Sequence, residues 1–211
     1  MSTLRIVGLG LTFFSGVLMS STPASAIEKP KHQVVQSIEF NGKSIEIREY
    51  APYIVAETVV ESNSLREASS QGFKRLAGYI FGGNRSRESM DMTAPVQSVK
   101  MDMTAPVGTV GEAGKYTISF VMPSKYTLET LPVPNDERVM LRVVPAKRVA
   151  AIVFSGFWTQ SRFARYTETL ETYLASENIP AQSLPMVARY NMPLTPWFLR
   201  TNEILIDIPS P

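Results

Sequence analysis

Two helix-like stretches, each set among strand-like runs, constrain this chain more than any other feature. Ser64-Leu-Arg-Glu67 has the spacing of a capping box, in which the serine hydroxyl takes a free backbone N–H and the glutamate reaches back. Behind it Leu65, Ala68, Gly72, Leu76 and Tyr79 recur at three and four residues, with Phe73, Ala77 and Ile80 widening the stripe. That period predicts an amphipathic helix, ended by Gly82-Gly83. A second helix is predicted from a Thr159 cap, with Phe163, Tyr166, Thr167, Leu170 and Leu174 on one face and Asn178 and Pro180 as stops. Around them lie alternating or β-branched runs. Strands are predicted from Ile38 to Tyr50, over 53–60 after the Ala51-Pro52 turn, and over 116–122, 139–144, 149–154, 186–190 and 203–208. The order is strand, strand, helix, strand, strand, then a strand and the same series again. It predicts an α+β chain with an internal pseudo-repeat: one antiparallel sheet curled towards a barrel, with two long helices on it.

Met90-Asp-Met-Thr-Ala-Pro-Val96 recurs letter for letter as Met101-Asp-Met-Thr-Ala-Pro-Val107. Each copy reads as a short strand running into a proline, which cannot donate to a ladder, so Pro95 and Pro106 belong at strand ends or edges. Residues 123–138 read as a long loop, and residues 193–200 as a proline-flanked loop carrying Trp197 and Phe198.

The N-terminus combines Arg5, an uncharged run over residues 6–21 and Ala24-Ser25-Ala26. This matches a secretory signal peptide, with cleavage after Ala26 and an exported product, periplasmic or extracellular. The apolar run is short for a membrane span, although a permanent anchor is the competing reading. The domain expectation is a signal peptide over 1–26, a flexible lead-in over 27–37 and one folded domain over 38–208. Without Arg5 the chain has 20 basic residues against 19 acids, which argues against a nucleic-acid partner. With no cysteine, disulfides, thiolate haem ligation and a catalytic thiol are excluded. No phosphate-cradling glycine loop or nucleophile elbow is found.

Several strings in order resemble the SOUL haem-binding family: Ile45-Glu-Ile-Arg-Glu-Tyr50, Gly72-Phe-Lys-Arg-Leu76, Tyr79-Ile-Phe-Gly-Gly-Asn84, both Met-Thr-Ala-Pro-Val copies, 149–156, Arg189-Tyr190-Asn191 and Arg200-Thr-Asn-Glu-Ile204. The resemblance runs over about residues 38–208. It implies a distorted antiparallel barrel of two similar halves flanked by two helices, similar to bacterial effector-binding domains. It also implies a non-covalent haem or other porphyrin, held in a mostly apolar groove beside the first helix. Some members carry a ligating histidine where this chain has Glu49, and the only histidine here is His32. The resemblance therefore implies binding through apolar contacts, without histidine ligation.

A porphyrin needs an apolar or aromatic wall and cations at its rim. By resemblance, Phe73 and Ala77 match the groove-lining positions of the first helix; core packing is the competing reading, as it is for Leu76. Lys74, Arg75, Arg85 and Arg87 are candidates for the propionates, against a plain solvated face. Trp197 and Phe198 are candidates to stack on the ring, with Arg200 for the second propionate; plugging one end of the sheet is their alternative. Met90, Met92, Met101 and Met103 are thioether candidates with the spacing of packing residues, and Asp91 and Asp102 read as surface or turn residues. His32 reads as exposed. A hydrolase on the same fold would need a buried general base, for which Glu49 and Glu203 are the candidates. A binder of another amphipathic molecule is the third reading.

Overall fold

The structure, a computed structural model, describes residues 28–101, 114–157, 159–190 and 195–210. The expected signal peptide and most of the second Met-Asp-Met-Thr-Ala-Pro-Val copy lie outside the described residues. The elements in chain order are β1 His32–Phe40, β2 Lys43–Tyr50, β3 Tyr53–Ser62, α1 Leu65–Ile80, β4 Val96–Met101, β5 Gly114–Val121, β6 Met140–Val144, β7 Lys147–Ser155, α2 Gln160–Ser176, β8 Met186–Arg189 and β9 Thr201–Ile208. A single turn of 3-10 helix, Trp197–Leu199, precedes β9.

The nine strands among the described residues form one sheet in the order β1-β2-β7-β9-β8-β4-β5-β3-β6, and every described ladder is antiparallel. The connectivity repeats. In β3-α1-β4-β5 the last strand lies between the other two, and in β7-α2-β8-β9 it does so again. The two units meet at the β4–β8 ladder, where Val96 faces Arg189 and Ser98 faces Val187. The α+β class and the two helices are as expected. The barrel is not: the described sheet is open, with β1 and β6 as its edges. Alternation in a sequence assigns residues to faces, but closure requires the two edge strands to pair. Here β1 pairs only with β2, with a register shift between Val34 and Gln36, a device that blunts an edge.

Residues 32–37, expected within a loose lead-in, belong to β1. Their positions are almost all exposed, so they show no alternation to read. Residues ahead of β1 are tied down: Ala94 N–H donates to Glu28 O (2.9 Å) and Ala51 N–H to Lys31 O (3.0 Å). The first Met-Asp-Met-Thr-Ala-Pro-Val copy is likewise not a strand running into proline. It is a loop, and β4 begins at Val96, after Pro95, and ends at Met101. The strand therefore lies between the copies, because the ladder starts once the residue without a donor is passed.

Each helix covers its own half. Under α1, Leu76, Tyr79 and Ile80 pack with Val60, Ile118 and Phe120; under α2, Leu170, Tyr173 and Leu174 pack with Ile45, Ile152 and Ile204. Gly72 is the closest approach: a Cβ there would lie 2.5 Å from Ile118 Cγ1. The α1 cap differs from a simple capping box. Glu67 N–H donates to Ser64 Oγ (3.2 Å), but the Glu67 carboxylate accepts from Ser62 Oγ (2.9 Å), which in turn accepts from Ser64 N–H (3.3 Å). A relay through Ser62 thus replaces the direct return bond.

Candidate ligand-binding cleft

The N-terminal ends of α1 and α2 converge across the β4–β8 seam. Between them lies a cleft of about 980 Å³, near the upper end of the roughly 300–1,000 Å³ of small-molecule sites. Asn63, Ser64, Leu65 and Arg66 wall one side, and Phe157, Thr159, Gln160 and Phe163 the other. Ser98, Tyr116 and Arg189 come from the sheet, and Leu184 and Pro185 complete the lining. Local sequence sets this geometry. Ser64 and Thr159 start the helices by accepting from Glu67 N–H and Arg162 N–H, both at 3.2 Å. Gly156 has φ +104°, a left-handed turn that lets β7 enter α2 and leaves Phe157 at the mouth.

The mouth is aromatic. Phe157 stacks on Trp197 (centroids 5.6 Å apart, 17° between planes), and Trp197 meets Phe198 edge-on at 5.7 Å. Phe157, Trp197, Phe198 and Leu199 are each more than half exposed, an apolar patch of the kind that marks a binding surface. The Arg200 guanidinium lies 6.0 Å from the Phe157 centroid, and its Nε donates to Thr195 O (2.8 Å).

The charge at the floor is Arg189. Its Nη2 donates to Ser98 Oγ (3.3 Å), which lies 3.4 Å from Ser69 Oγ. Burial holds the Arg189 guanidinium below its ordinary pKa, because the charged form has lost much of its water. Both helix N-termini add positive potential. The cleft thus combines apolar walls, an aromatic mouth, a desolvated cation at its floor and the exposed cation Arg66 at its rim.

Of the binding residues singled out in the sequence, none is among those that line the cleft; Trp197, Phe198 and Arg200 gather beside Phe157, which does. Phe73 and Ala77 are half-buried and pack on the cluster beneath α1, where Phe73 meets Phe120 edge-on at 5.3 Å. Lys74 is exposed on α1, and Arg85 and Arg87 are exposed beyond its C-terminal end. In a 16-residue helix that end is roughly 24 Å from the first turn. Arg75 is bonded to Thr58 Oγ1 (2.6 Å) and lies 3.7 Å from Asp136. Met90 is buried beneath α1 with Met92 against it, while Asp91 is exposed and pairs with Lys125 (3.2 Å). Sequence reasoning left out Leu65, Arg66, Tyr116, Phe157, Phe163 and Arg189 as lining residues. Phe163 had a helical period that reads as core, and Arg189 stood in a family-like string without an assigned role.

On the face of the sheet away from the helices, Arg48 and Glu203 form a bidentate buried pair (2.9 and 3.0 Å). Tyr190 donates to the same carboxylate (2.6 Å), and Arg48 also bonds Glu46 (2.7 Å) and Tyr50 (3.2 Å). Burial alone would lower the Arg48 pKa, but Glu203 more than offsets it and holds Arg48 above its ordinary value. Burial, with the Glu203 charge, pushes Tyr190 up. His32 stacks on Tyr50 at 4.8 Å, and Glu49 is exposed. A second cavity, about 440 Å³, lies between residues 28–31, the 51–54 turn and residues 121–129.

The family described as SOUL heme-binding protein matches residues 27–207. Heme-binding protein 2 of Homo sapiens is 28% identical over 188 residues, 85% of this chain and 89% of that protein. Heme-binding protein 1 of Xenopus laevis is 23% identical over 192 residues, 88% of this chain and 98% of that protein. Among solved structures, the C-terminal domain of EcmrR superposes with a TM-score of 0.57 at 12% identity, covering 79% of this chain and 98% of that domain; that likeness is one of fold. With a match that spans most of its length, the chain belongs to the SOUL haem-binding protein family.

Proposed function

We propose that this chain binds haem or a related tetrapyrrole non-covalently in the cleft between the N-terminal ends of α1 and α2. Its role on this reading is that of a carrier, buffer or sensor rather than an enzyme. The observation that carries the proposal is the pairing of that cleft's apolar walls with the buried cation Arg189. The donor set fits the ligand. Leu65, Phe163 and Phe157 offer faces for a flat apolar ring, and Arg189 and Arg66 offer forked donors for its two carboxylates. The curated relatives are named for the same ligand. His32 lines no part of this cleft, so binding here does not use histidine. Bound haem would bring an iron centre able to take up small ligands or electrons; the protein's part is to hold the plate and exclude water.

The hydrolase reading needs an available buried carboxylate beside a pocket. Both Glu203 oxygens are engaged by Arg48, and Glu49 is exposed, so no observation favours it. We also infer export: Arg5, the uncharged run over 6–21 and Ala24-Ser25-Ala26 support cleavage after Ala26 and a periplasmic or extracellular product. Mass analysis of the secreted chain should give Ile27 as its first residue.

The binding test is a titration of the protein with ferric haem and with metal-free protoporphyrin, following absorbance and quenching of Trp197 and Trp158. Micromolar or tighter binding that weakens in Phe163→Ala and Arg189→Gln supports the cleft. Binding that ignores both substitutions moves the site elsewhere, to the Phe73–Ala77 face of α1 first. Failure to bind either ligand sinks the tetrapyrrole reading and leaves another amphipathic molecule as the ligand.

A further inference from the structure

We propose that the hydroxyl of Tyr116 ligates the iron when this cleft holds ferric haem. This rests on the cleft being the tetrapyrrole site. Among the described residues, the lining contains no histidine or methionine. Its other members are apolar side chains, arginines, short hydroxyls and amides, none of them an ordinary axial ligand. A tyrosine phenolate is one. Elsewhere, His32 is stacked on Tyr50 on the other face of the sheet, and Met90 and Met92 pack beneath α1.

Tyr116 is a buried tyrosine that also lines the cleft. Its side chain belongs to the cluster under α1 and is 8% exposed, so the ring is fixed by packing while it also lines the cleft. The buried Tyr79 and the half-buried Tyr190 donate to Pro132 O (2.8 Å) and to Glu203 (2.6 Å). Buried tyrosine hydroxyls usually find such a partner. Among the described residues no hydrogen bond holds that of Tyr116, which leaves its lone pairs available to a ligand.

Charge favours the same assignment. A ferric porphyrin core has one net positive charge, and a phenolate cancels it, so the pair enters a low-dielectric cleft without a stranded charge. Arg66, Arg189 and the two helix N-termini favour an anionic oxygen in this cleft. In the ligation step the phenol O–H bond breaks, the O–Fe(III) bond forms and the proton leaves to solvent; no oxidation state changes.

The test compares the wild-type protein, Tyr116→Phe and Tyr116→His with ferric haem and with metal-free protoporphyrin. The wild-type haem complex should show the charge-transfer absorption and resonance-Raman phenolate bands of a ferric tyrosinate. Tyr116→Phe should lose them, and its preference for ferric haem over protoporphyrin should fall about tenfold, near 1.4 kcal/mol. Tyr116→His should restore the preference with an imidazole spectrum, which also shows that position 116 tolerates change without loss of the fold. A wild-type complex without phenolate bands, in a protein whose protoporphyrin binding depends on Phe163, overturns the ligation and leaves the cleft reading standing. Protoporphyrin binding that is absent, or indifferent to Phe163→Ala, removes the cleft reading and this assignment with it.

Discussion

Arg189 and Arg48 are both arginines on buried strands, yet they sit in opposite circumstances. Arg48 is matched by Glu203 in two parallel bonds, whereas Arg189 faces the cleft with a serine as its bonded neighbour. A desolvated cation that lines a cleft favours an anionic ligand there. Arg189→Gln should weaken tetrapyrrole binding about tenfold or more, the worth of a hydrogen bond to a charged group. The effect should vanish with the dimethyl ester of protoporphyrin; an equal loss for acid and ester would show that Arg189 does not meet a propionate. For the other pair, Arg48→Met should destabilise the fold by about 3–5 kcal/mol, because Glu203 is then a buried charge alone. Arg48→Met with Glu203→Leu should recover most of that loss in urea unfolding. Tyr79 sets a limit at high pH. Burial, with a smaller contribution from Tyr126, pushes it from 10.0 up to about 12. The folded state therefore holds that proton more tightly than the unfolded chain, and stability falls as pH rises through this window. Tyr79→Phe should flatten that fall, while costing about 1 kcal/mol at neutral pH for the lost bond to Pro132.

At the scale of elements, the packing of α1 on β5 decides where the cleft lies. Gly72 lets the helix settle onto Ile118, and a Cβ at that position would lie 2.5 Å from Ile118 Cγ1. Gly72→Ala gains about 1 kcal/mol of helix propensity but overpacks the core, which costs about 1–3 kcal/mol. The expected outcome in chemical denaturation is net destabilisation, and a smaller cost of Gly72→Ala when it is made in an Ile118→Ala background. Additive effects of the two substitutions would mean that the close contact does not decide the helix position. The sequence showed this helix plainly, through its period and cap. It did not show which of its two ends faces a ligand. Phe73 and Ala77 have the same spacing whether they line a groove or a core, and their contact with the Phe120 cluster depends on how α1 lies on the sheet.

Across the whole molecule, the β4–β8 ladder joins two units of the same connectivity, and the cleft opens along that seam. A ligand there touches Leu65 of α1 and Phe163 of α2 at once, so it should tie the halves together. At a hundredfold excess over its dissociation constant, protoporphyrin should add about 2.7 kcal/mol to stability. Hydrogen exchange should slow in both β4 and β8. Protection confined to one half would place the ligand on that half alone.

The sequence by itself determined the α+β class, both helices with their serine and threonine caps, most of the strands and the family. Each of these is written in local spacing: a period, a cap, a proline, a string of family residues. It missed most of β1, because an exposed edge strand has no buried face to impose alternation. Only the tertiary structure decided that the sheet stays open, since closure depends on whether β1 and β6 meet. It also decided which cation lies with which ring. Arg66, Tyr116, Phe163 and Arg189 are far apart in the chain and share a cleft because the repeated units turn their helix N-termini towards one seam. That convergence is a property of packing between elements, which no local spacing records.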